Sequence, residues 1–473
     1  MKPLNIETIL LLFPRRTEKR WESFSVPPSI LFLAGGLENR GFKVDFSYLE
    51  IPSLHLTPYR QLSDYNLVGI TIFDDFFLEI LEFSKFMPDE TLLAVGGVTP
   101  TMAPRETFTF MERANIVFSG EGEILFPELL SGLNKGMHPE GPWLLRINGE
   151  RIKPVSPRRE DLSLTPISFS PFTSEDYNKG LELVVSRGCP RSCIFCTHVH
   201  GRKQRKTPPL LIREWLRKFK ELGGAPVVNL ADDDILLDPE YAVNVFSILK
   251  EEGFELWGIQ TSMDSLLSPA AFDAIKSAPF VSQPILWIGT DVFIKPRAKR
   301  LAKKSGEREI EEAVSLMERL SIENYHYWIL SDCMSTLAEF TEEFLFVARL
   351  MAKYSYFHIL PNSPFLIPYP YTPSYRRAIL KCREKIVFRK ILKKNGVSYP
   401  LIHYEKPHDE LLHNLINPEK NLIPWLKPGE FLEVLRNKQP KRAASLLISA
   451  LREGKLLSPE LEERFYEVLN PSE

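Results

Sequence analysis

The chain has 473 residues, 44% hydrophobic and 25% charged, with a formal net charge of -2. Those fractions belong to a folded protein of two or three domains; they exclude wholesale disorder and collagen-like or coiled-coil rods, and the near-neutral charge carries no global nucleic-acid signature. Five cysteines are too few for a disulfide framework over this length, so a reducing compartment is the default.

The first apolar run, Ile9 to Phe13, has five residues and no small-residue cleavage site behind it, which reads as a buried first strand rather than a signal peptide. No stretch reaches about 18 uncharged apolar residues, so a cytoplasmic protein without transmembrane segments is expected, with peripheral membrane attachment left open. The spacing then predicts a helix over Ser29–Asn39 closed by Gly41, strands over Lys43–Tyr48 and Leu67–Ile72, and a helix over Phe77–Phe86. A strand over Thr91–Val95 ends in Gly96-Gly97, a strand over Ile116–Ser119 ends at Gly120, and a helix fits Gly122–Leu133. Strands alternating with helices predict a parallel, doubly wound α/β sheet over residues 1–135, with glycine turns at the strand ends where such sheets bind ligands.

Residues 136–170 are dominated by Gly, Pro and charge and read as a partly ordered linker, with a small hairpin turn at Ile147–Arg151. Residues 171–365 resume the alternation. Strands are expected at Leu181–Ser186, Val227–Ala231, Leu256–Gln260, Ile285–Gly289, Tyr327–Ser331 and Tyr356–Leu360. Helices are expected at Pro209–Leu222, Pro239–Glu251, Glu307–Leu320 and Glu339–Lys353. Six β-α units suffice for an open (β/α)6 barrel. Residues 366–473 read as a helical C-terminal domain, with helices at Ser374–Lys394, Pro428–Leu435 and Arg442–Arg452.

Cys189, Cys193 and Cys196 follow the first of these barrel strands directly. Three thiolates within eight residues can wrap one metal centre, and such soft donors favour iron–sulfur clusters, zinc or copper. Zinc would need a fourth ligand, which His198 or His200 could supply, although a second Cys pair is missing. Cys333 and Cys382 are expected to be separate core residues.

The C-x3-C-x2-C spacing, with Phe195 before the third cysteine and a barrel strand before the first, resembles the radical S-adenosylmethionine (SAM) superfamily. The resemblance implies a [4Fe-4S] cluster on the three cysteines, with one open iron that chelates SAM. Reductive cleavage of SAM then yields a 5'-deoxyadenosyl radical. It places Phe195, Asp232, Asp233, Gln260, Ser262, Asp264 and Asp291 at the SAM side of the barrel. Here the acid of the fourth strand is an Asp where relatives carry Glu, and a clear glycine-glycine-acid motif is absent. For the aspartates that follow Leu230, capping of the next helix is the plain alternative.

Upstream, Pro14, Pro27, Pro28, Thr71, Gly96, Gly97, Thr99, Pro100, Gly120, Glu121 and Gly122 resemble, in this order, the cobalamin-binding domain that precedes many radical SAM barrels. Small residues at strand ends let a flat macrocycle lie against backbone. The Asp-x-His-x-x-Gly signature that supplies an axial histidine is absent, and His55 lies in another loop, so binding without a protein imidazole is implied. A domain that keeps this shape and binds nothing stays open. On the substrate side, Arg376–Lys394 holds nine basic residues against Glu384 alone. With Arg202, Arg297 and the neighbouring lysines and arginines it reads as a steering surface for an anionic or lipid-like small molecule. Arg376, Arg377, Tyr369 and Tyr371 are its further candidates; a solvated helix and a rigid connector are the plain alternatives.

The expected whole is an α/β protein: a Rossmann-like B12-type domain, a radical SAM partial barrel and a helical C-terminal domain. Its expected activity is cobalamin-dependent methylation of an unactivated carbon, fed by a one-electron reductant such as flavodoxin or ferredoxin. C–C coupling, cyclisation or rearrangement, with or without cobalamin, is the alternative within enzymes. A non-catalytic metal-binding protein is the alternative outside them.

Overall fold

The computed structural model describes residues 2–16, 26–137, 139–147, 150–151, 161–360, 365–417, 430–453 and 455–469. The first sheet is built from β1 (Thr8–Arg16), β2 (Lys43–Ile51), β3 (His55–Thr57), β4 (Leu67–Thr71), β5 (Leu92–Gly96), β6 (Ile116–Phe118), β7 (Trp143–Ile147) and β8 (Glu150–Arg151). Its order is β3-β2-β1-β4-β5-β6-β7-β8, parallel from β2 to β6 and antiparallel at both edges. The strand order reverses between β1 and β4, the place where open α/β sheets leave a crevice at their carboxyl ends. Its helices are α1 (Pro28–Glu38), α2 (Phe77–Phe83), α3 (Val98–Met102), α4 (Pro104–Phe110) and α5 (Leu125–Asn134).

Residues Ile9 and Leu11 of β1 face one core and Leu10 and Leu12 the other, as the two-residue period of a strand covered on both faces requires. α1 lies tight on its surroundings because of Gly35 and Gly36: a Cβ on Gly36 would stand 1.8 Å from the Glu123 carbonyl oxygen. Part of the segment expected to be a linker, Trp143–Ile147 and Glu150–Arg151, is sheet, since β7 pairs with β6 and β8 with β7. The turn residues Asn148 and Gly149 lie outside the described residues, but the pairing of Ile147 with Glu150 is that of the expected hairpin.

After α6 (Ser174–Tyr177), the second sheet begins with β9 (Leu181–Leu183). A short antiparallel pair follows, β10 (Ser186–Arg187) and β11 (Arg205–Lys206). Next come α7 (Pro209–Glu221), β12 (Val227–Leu230), α8 (Pro239–Glu251), β13 (Glu255–Ser262), α9 (Met263–Leu266), α10 (Pro269–Ser277) and β14 (Phe280–Asp291). The series ends with α11 (Lys295–Arg300), α12 (Glu307–Arg319), β15 (Glu323–Trp328), α13 (Leu337–Lys353) and β16 (Phe357–Leu360). All six strands are parallel, in the order β16-β15-β14-β13-β12-β9. This is the six-unit open barrel.

The fifth strand starts four residues before its expected position. Its buried Asn324 and His326 hid it, because they satisfy one another (Nε2 to Oδ1, 2.9 Å) and Thr290 (2.7 Å) instead of reading as an apolar run. The two sheets share one core, in which Phe32 of α1 packs on Trp215 of α7 with ring centroids 5.3 Å apart.

The C-terminal region carries α14 (Pro373–Lys381), β17 (Ile386–Lys394), β18 (Val397–Glu405), α15 (Glu410–Ile416), α16 (Glu430–Arg436), α17 (Pro440–Glu453) and α18 (Pro459–Leu469). The helix expected over Ser374–Lys394 is therefore wrong beyond Lys381. Ile386, Val387, Phe388 and Ile391 favour a strand, and Asn395-Gly396, with φ of 48° and 74°, forms the turn of an antiparallel hairpin. Arg376, Lys390 and Lys394 accordingly share no helical face. The hairpin docks on the first sheet: the Tyr399 hydroxyl donates to Asp74 at 2.5 Å, and Arg389 bonds Glu79 and the Asp75 carbonyl.

Candidate active site

The three cysteines ride on a loop closed by the β10–β11 stem, with the Cys189 N–H bonded to the Gly201 carbonyl at 3.1 Å. Gly188 has φ +95°, and a Cβ there would lie 2.3 Å from the Lys203 carbonyl oxygen, so only glycine lets the loop fold back on itself. Asp232, fully buried, accepts the N–H groups of Val185 and Ser186, and Asp233 accepts that of Gly188 at 2.7 Å. Burial pushes the Asp232 carboxyl up to about 7 against the pull of those bonds.

Arg191, between the first two cysteines, donates to Asp264 (2.9 Å) and Ser265 (2.5 Å) and lies 3.4 Å from Asp234. Asp234 also accepts from Thr261, Ser262 and Ser265, each at 2.8 Å. On the far side Ile194 donates to the Leu301 carbonyl and accepts from Ser374, while Phe195 packs with Val292, Leu301 and Leu366.

Burial raises all three thiols above their ordinary values, Cys196 to about 11, so metal binding must displace their protons. Among the described residues the three sulfurs do not all come within 4.8 Å of one another. Thiolates on one zinc, at about 2.3 Å from the metal in a tetrahedron, would stand about 3.8 Å apart. His198 sits on the loop itself, two residues after Cys196, with φ 48° and both ring nitrogens buried without a partner.

Of the other residues expected on the SAM side, Asp291 has φ 64° and accepts from Lys303 at 2.6 Å. Lys303 also donates to the Gly289 carbonyl and is nearly fully buried. It was missed, and no local motif announces it twelve residues further on. Ser262 caps α9, and Gln260 is half-buried at the end of β13.

At the switch point of the first sheet a cavity of about 300 Å³ opens. Pro28, Thr71, Gly96, Gly97, Gly120, Glu121 and Gly122 line it as expected, whereas Pro14, Pro27, Thr99 and Pro100 do not. Its apolar floor comes from residues such as Leu11, Phe32, Ile70 and Phe126, and its far wall from Val184, Arg187, Val199 and His200 of the barrel. A Cβ on Gly96 would meet only the Phe118 carbonyl oxygen, at 4.0 Å, so the backbone there leaves room for a ligand. His55 is exposed on the edge strand, away from this lining.

Glu121 is ion-paired as well as lining the cavity. Burial opposes its ionisation, but hydrogen bonds from His200 and Arg205 and the charge of Arg187 hold it well below the usual carboxylate range. Arg187 was missed, and Glu123 and Arg205, expected at a cofactor turn and on a basic surface, are instead ion-paired; two arginines flanking a cysteine loop opposite a Glu-Gly-Glu turn were the available signal.

The substrate-side expectations fare unevenly. Arg297 is a correction: it is fully buried, paired with Glu343 and bonded to the Ile329 carbonyl, and cannot meet a substrate. Arg300 is likewise held by Asp332 and Glu339, and Arg377 by Glu405. Arg202 is exposed and caps the Arg191 carbonyl at 3.0 Å, and Arg376 is exposed. The Tyr371 hydroxyl donates to Glu106 at 2.5 Å, and Tyr369 is half-buried beside Asp74 and Asp75. Cys333 and Cys382 are both buried, as expected of core residues, but they are joined in a disulfide with Cα atoms 6.1 Å apart.

Residues 183–327 match the family model of the radical SAM superfamily. The chain therefore carries a radical SAM domain, the family in which a [4Fe-4S] cluster and SAM are the cofactors. It is 23% identical over 331 residues, 67% of its own length and 70% of the relative's, to an uncharacterised methyltransferase of Pyrococcus horikoshii. It is 25% identical over 199 residues to the hopanoid C-3 methylase of Methylococcus capsulatus, 40% of this chain and 38% of that one. Among solved structures, the cobalamin-dependent SAM radical enzyme OxsB with aqua-cobalamin and SAM bound superimposes with a TM-score of 0.65 at 15% identity, over 98% of this chain and 70% of that one. The methyltransferase TsrM from Kitasatospora setae, with cobalamin and a [4Fe-4S] cluster, gives 0.64 at 15% identity, over 95% and 100%. At these identities the likeness is one of fold. No described helix is long and apolar enough to cross a membrane.

Proposed function

We propose that the chain is a cobalamin-dependent methyltransferase that adds a methyl group to an unactivated carbon. The observation that carries this reading is the shared cavity: glycine-lined strand ends of the first sheet form one side, and the stem of the cysteine loop the other. Cobalamin would fit the residues present: Gly96 and Gly97 would let it lie against backbone, and among the described residues no histidine of the first sheet lines the cavity. Bound there it supplies a methyl carrier, while SAM on the cluster supplies the radical. Names of relatives such as the hopanoid methylase point the same way.

The chain's own residues position and exclude. Asp232, Asp233 and Arg191 fix the cysteine loop, and Asp291, anchored by Lys303, presents its carboxylate toward the SAM side. Phe195 closes the rear of the loop. An anionic substrate has lost the support of Arg297, Arg300 and Arg377, so of the arginines named for this role Arg202 and Arg376 remain to steer one. The reductant is a one-electron protein donor such as flavodoxin or ferredoxin.

The test is anaerobic turnover with SAM, cobalamin, reductant and candidate substrates. 5'-Deoxyadenosine and S-adenosylhomocysteine should appear together with a product one methyl heavier. Deoxyadenosine alone, with a product of unchanged carbon count, would replace this reading by cyclisation or rearrangement, and a product joining two substrates by C–C coupling.

A further inference from the structure

Glu121 and Glu123 stand in the loop after β6, whereas the cations that hold them stand on the cysteine loop and its stem. Arg205 donates to Glu121 at 2.8 and 2.5 Å, His200 Nδ1 lies 3.3 Å from it, and Arg187 pairs with Glu123 at 2.6 Å and approaches Glu121 at 3.9 Å. We propose that these five side chains are a latch that holds the cluster-bearing loop in register with the cofactor end of the first sheet, with Glu121 as its positioning residue.

Three observations support it. The stem consists of two residues on each side, too short to hold an orientation by its own pairing. The charges are withdrawn from water: the side chains of Glu121, Arg187 and Glu123 are 4%, 5% and 9% exposed, so the pairs cannot be exchanged for hydration without opening the joint. The latch is also close to the metal ligands along the chain. Arg187 is two residues before Cys189, and Gly201, next to His200, accepts the Cys189 N–H. Movement at Glu121 therefore reaches the first cysteine through one residue on either side of the loop. Because Glu121, Glu123, Arg187 and His200 also rim the cavity, the same contacts set the spacing between the two cofactor sites.

This inference rests on the proposed cobalamin site, and the test separates the two. Anaerobic protein with the cluster reduced and cobalamin in its Co(II) form carries two unpaired electrons whose dipolar coupling reports their separation. In Glu121→Gln and Arg205→Met, iron and sulfide contents should stay at wild-type levels while, in the cobalamin-loaded fraction, the width of the distance distribution at least doubles. An unchanged distribution in both variants overturns the latch, and so does a failure of both to fold before cluster loading. If one variant alone fails to fold, the other decides. If wild-type protein retains no cobalamin, the functional reading fails by itself, and hydrogen exchange in cluster-replete protein decides the latch. Exchange at residues 120–123, 186–187 and 205–206 should then rise together at least tenfold in Glu121→Gln, and unchanged exchange overturns it.

Discussion

Arg297→Met separates a packing role from a substrate role at a position whose sequence context suggests the latter. Arg297 and Glu343 are both fully buried, and the arginine also donates to the Ile329 carbonyl at 2.8 Å. Removing the guanidinium leaves the Glu343 carboxylate in the barrel wall with the Phe293 N–H still donating to it at 2.5 Å. Burial already pushes the Glu343 carboxyl up, so without Arg297 it would take up a proton rather than stay charged. Breaking one side of a buried pair costs about 3–5 kcal/mol, which for a chain of this size is a fall in melting temperature of about 3–5 °C. Glu343→Leu added to Arg297→Met should recover most of that loss, because an apolar pair of similar volume needs no compensation. Differential scanning of anaerobic, cluster-replete protein, read beside 5'-deoxyadenosine formation, gives both quantities. A single variant that melts with the wild type while turnover collapses would refute the packing role and return Arg297 to the substrate.

Changing Cys189, Cys193 or Cys196 to alanine should abolish a content of about four irons and four sulfides, while Cys333→Ala or Cys382→Ala leaves it intact; zinc without labile sulfide in the wild type would contradict the cluster. Gly97→Val should prevent cobalamin uptake, since φ is +97° there and a Cβ would already stand 2.9 Å from Thr71 Cγ2, whereas His55→Ala should bind normally; equal binding by both would remove Gly97 from the site. Asp74 is raised to about 6 by burial, with the Tyr399 bond and the Arg389 charge lowering it and Asp75 raising it. A folded carboxyl that keeps its proton longer than the unfolded one loses stability as pH rises from about 4 to 6 and is level above. Asp74→Asn should therefore gain on the wild type by about 3 kcal/mol across that window, and a pH-independent difference between their unfolding curves would rule this out.

The parallel strands and the long helices of both sheets were legible because each presents an uninterrupted period: Leu10 and Leu12 to one core, Ile9 and Leu11 to the other. Legibility failed where tertiary partners replaced a local signal. The β17–β18 hairpin was hidden by its lysines and arginines, which mimic a basic helix, although Asn395-Gly396 was there to be read. Arg297 and Arg300 lie in a run that looks like a solvated patch, because their acids arrive from 32 to 46 residues away. Glu121 suffers the reverse ambiguity. Its glycine neighbours mark a strand end fit for a ligand, and nothing nearby announces that Arg187 and Arg205 occupy the carboxylate.

The run Asp232-Asp233-Asp234 shows why the cysteine motif declares its chemistry more readily than its geometry. Successive residues leaving a strand point to different sides, so three identical carboxylates meet three environments. Asp232 turns back, fully buried, onto the N–H groups of Val185 and Ser186 between β9 and the cysteine loop; Asp233 stays exposed and takes the N–H of Gly188; Asp234 reaches across to Thr261, Ser262 and Ser265. Together with Arg191, which spans Asp234 and Asp264, they shape the loop from outside it. The C-x3-C-x2-C spacing sets which sulfurs are available, but the acids after the second barrel strand decide where those sulfurs stand. A substitution at Asp232 or Asp234 therefore acts on the cluster through the backbone of residues 185–191, without touching any cysteine.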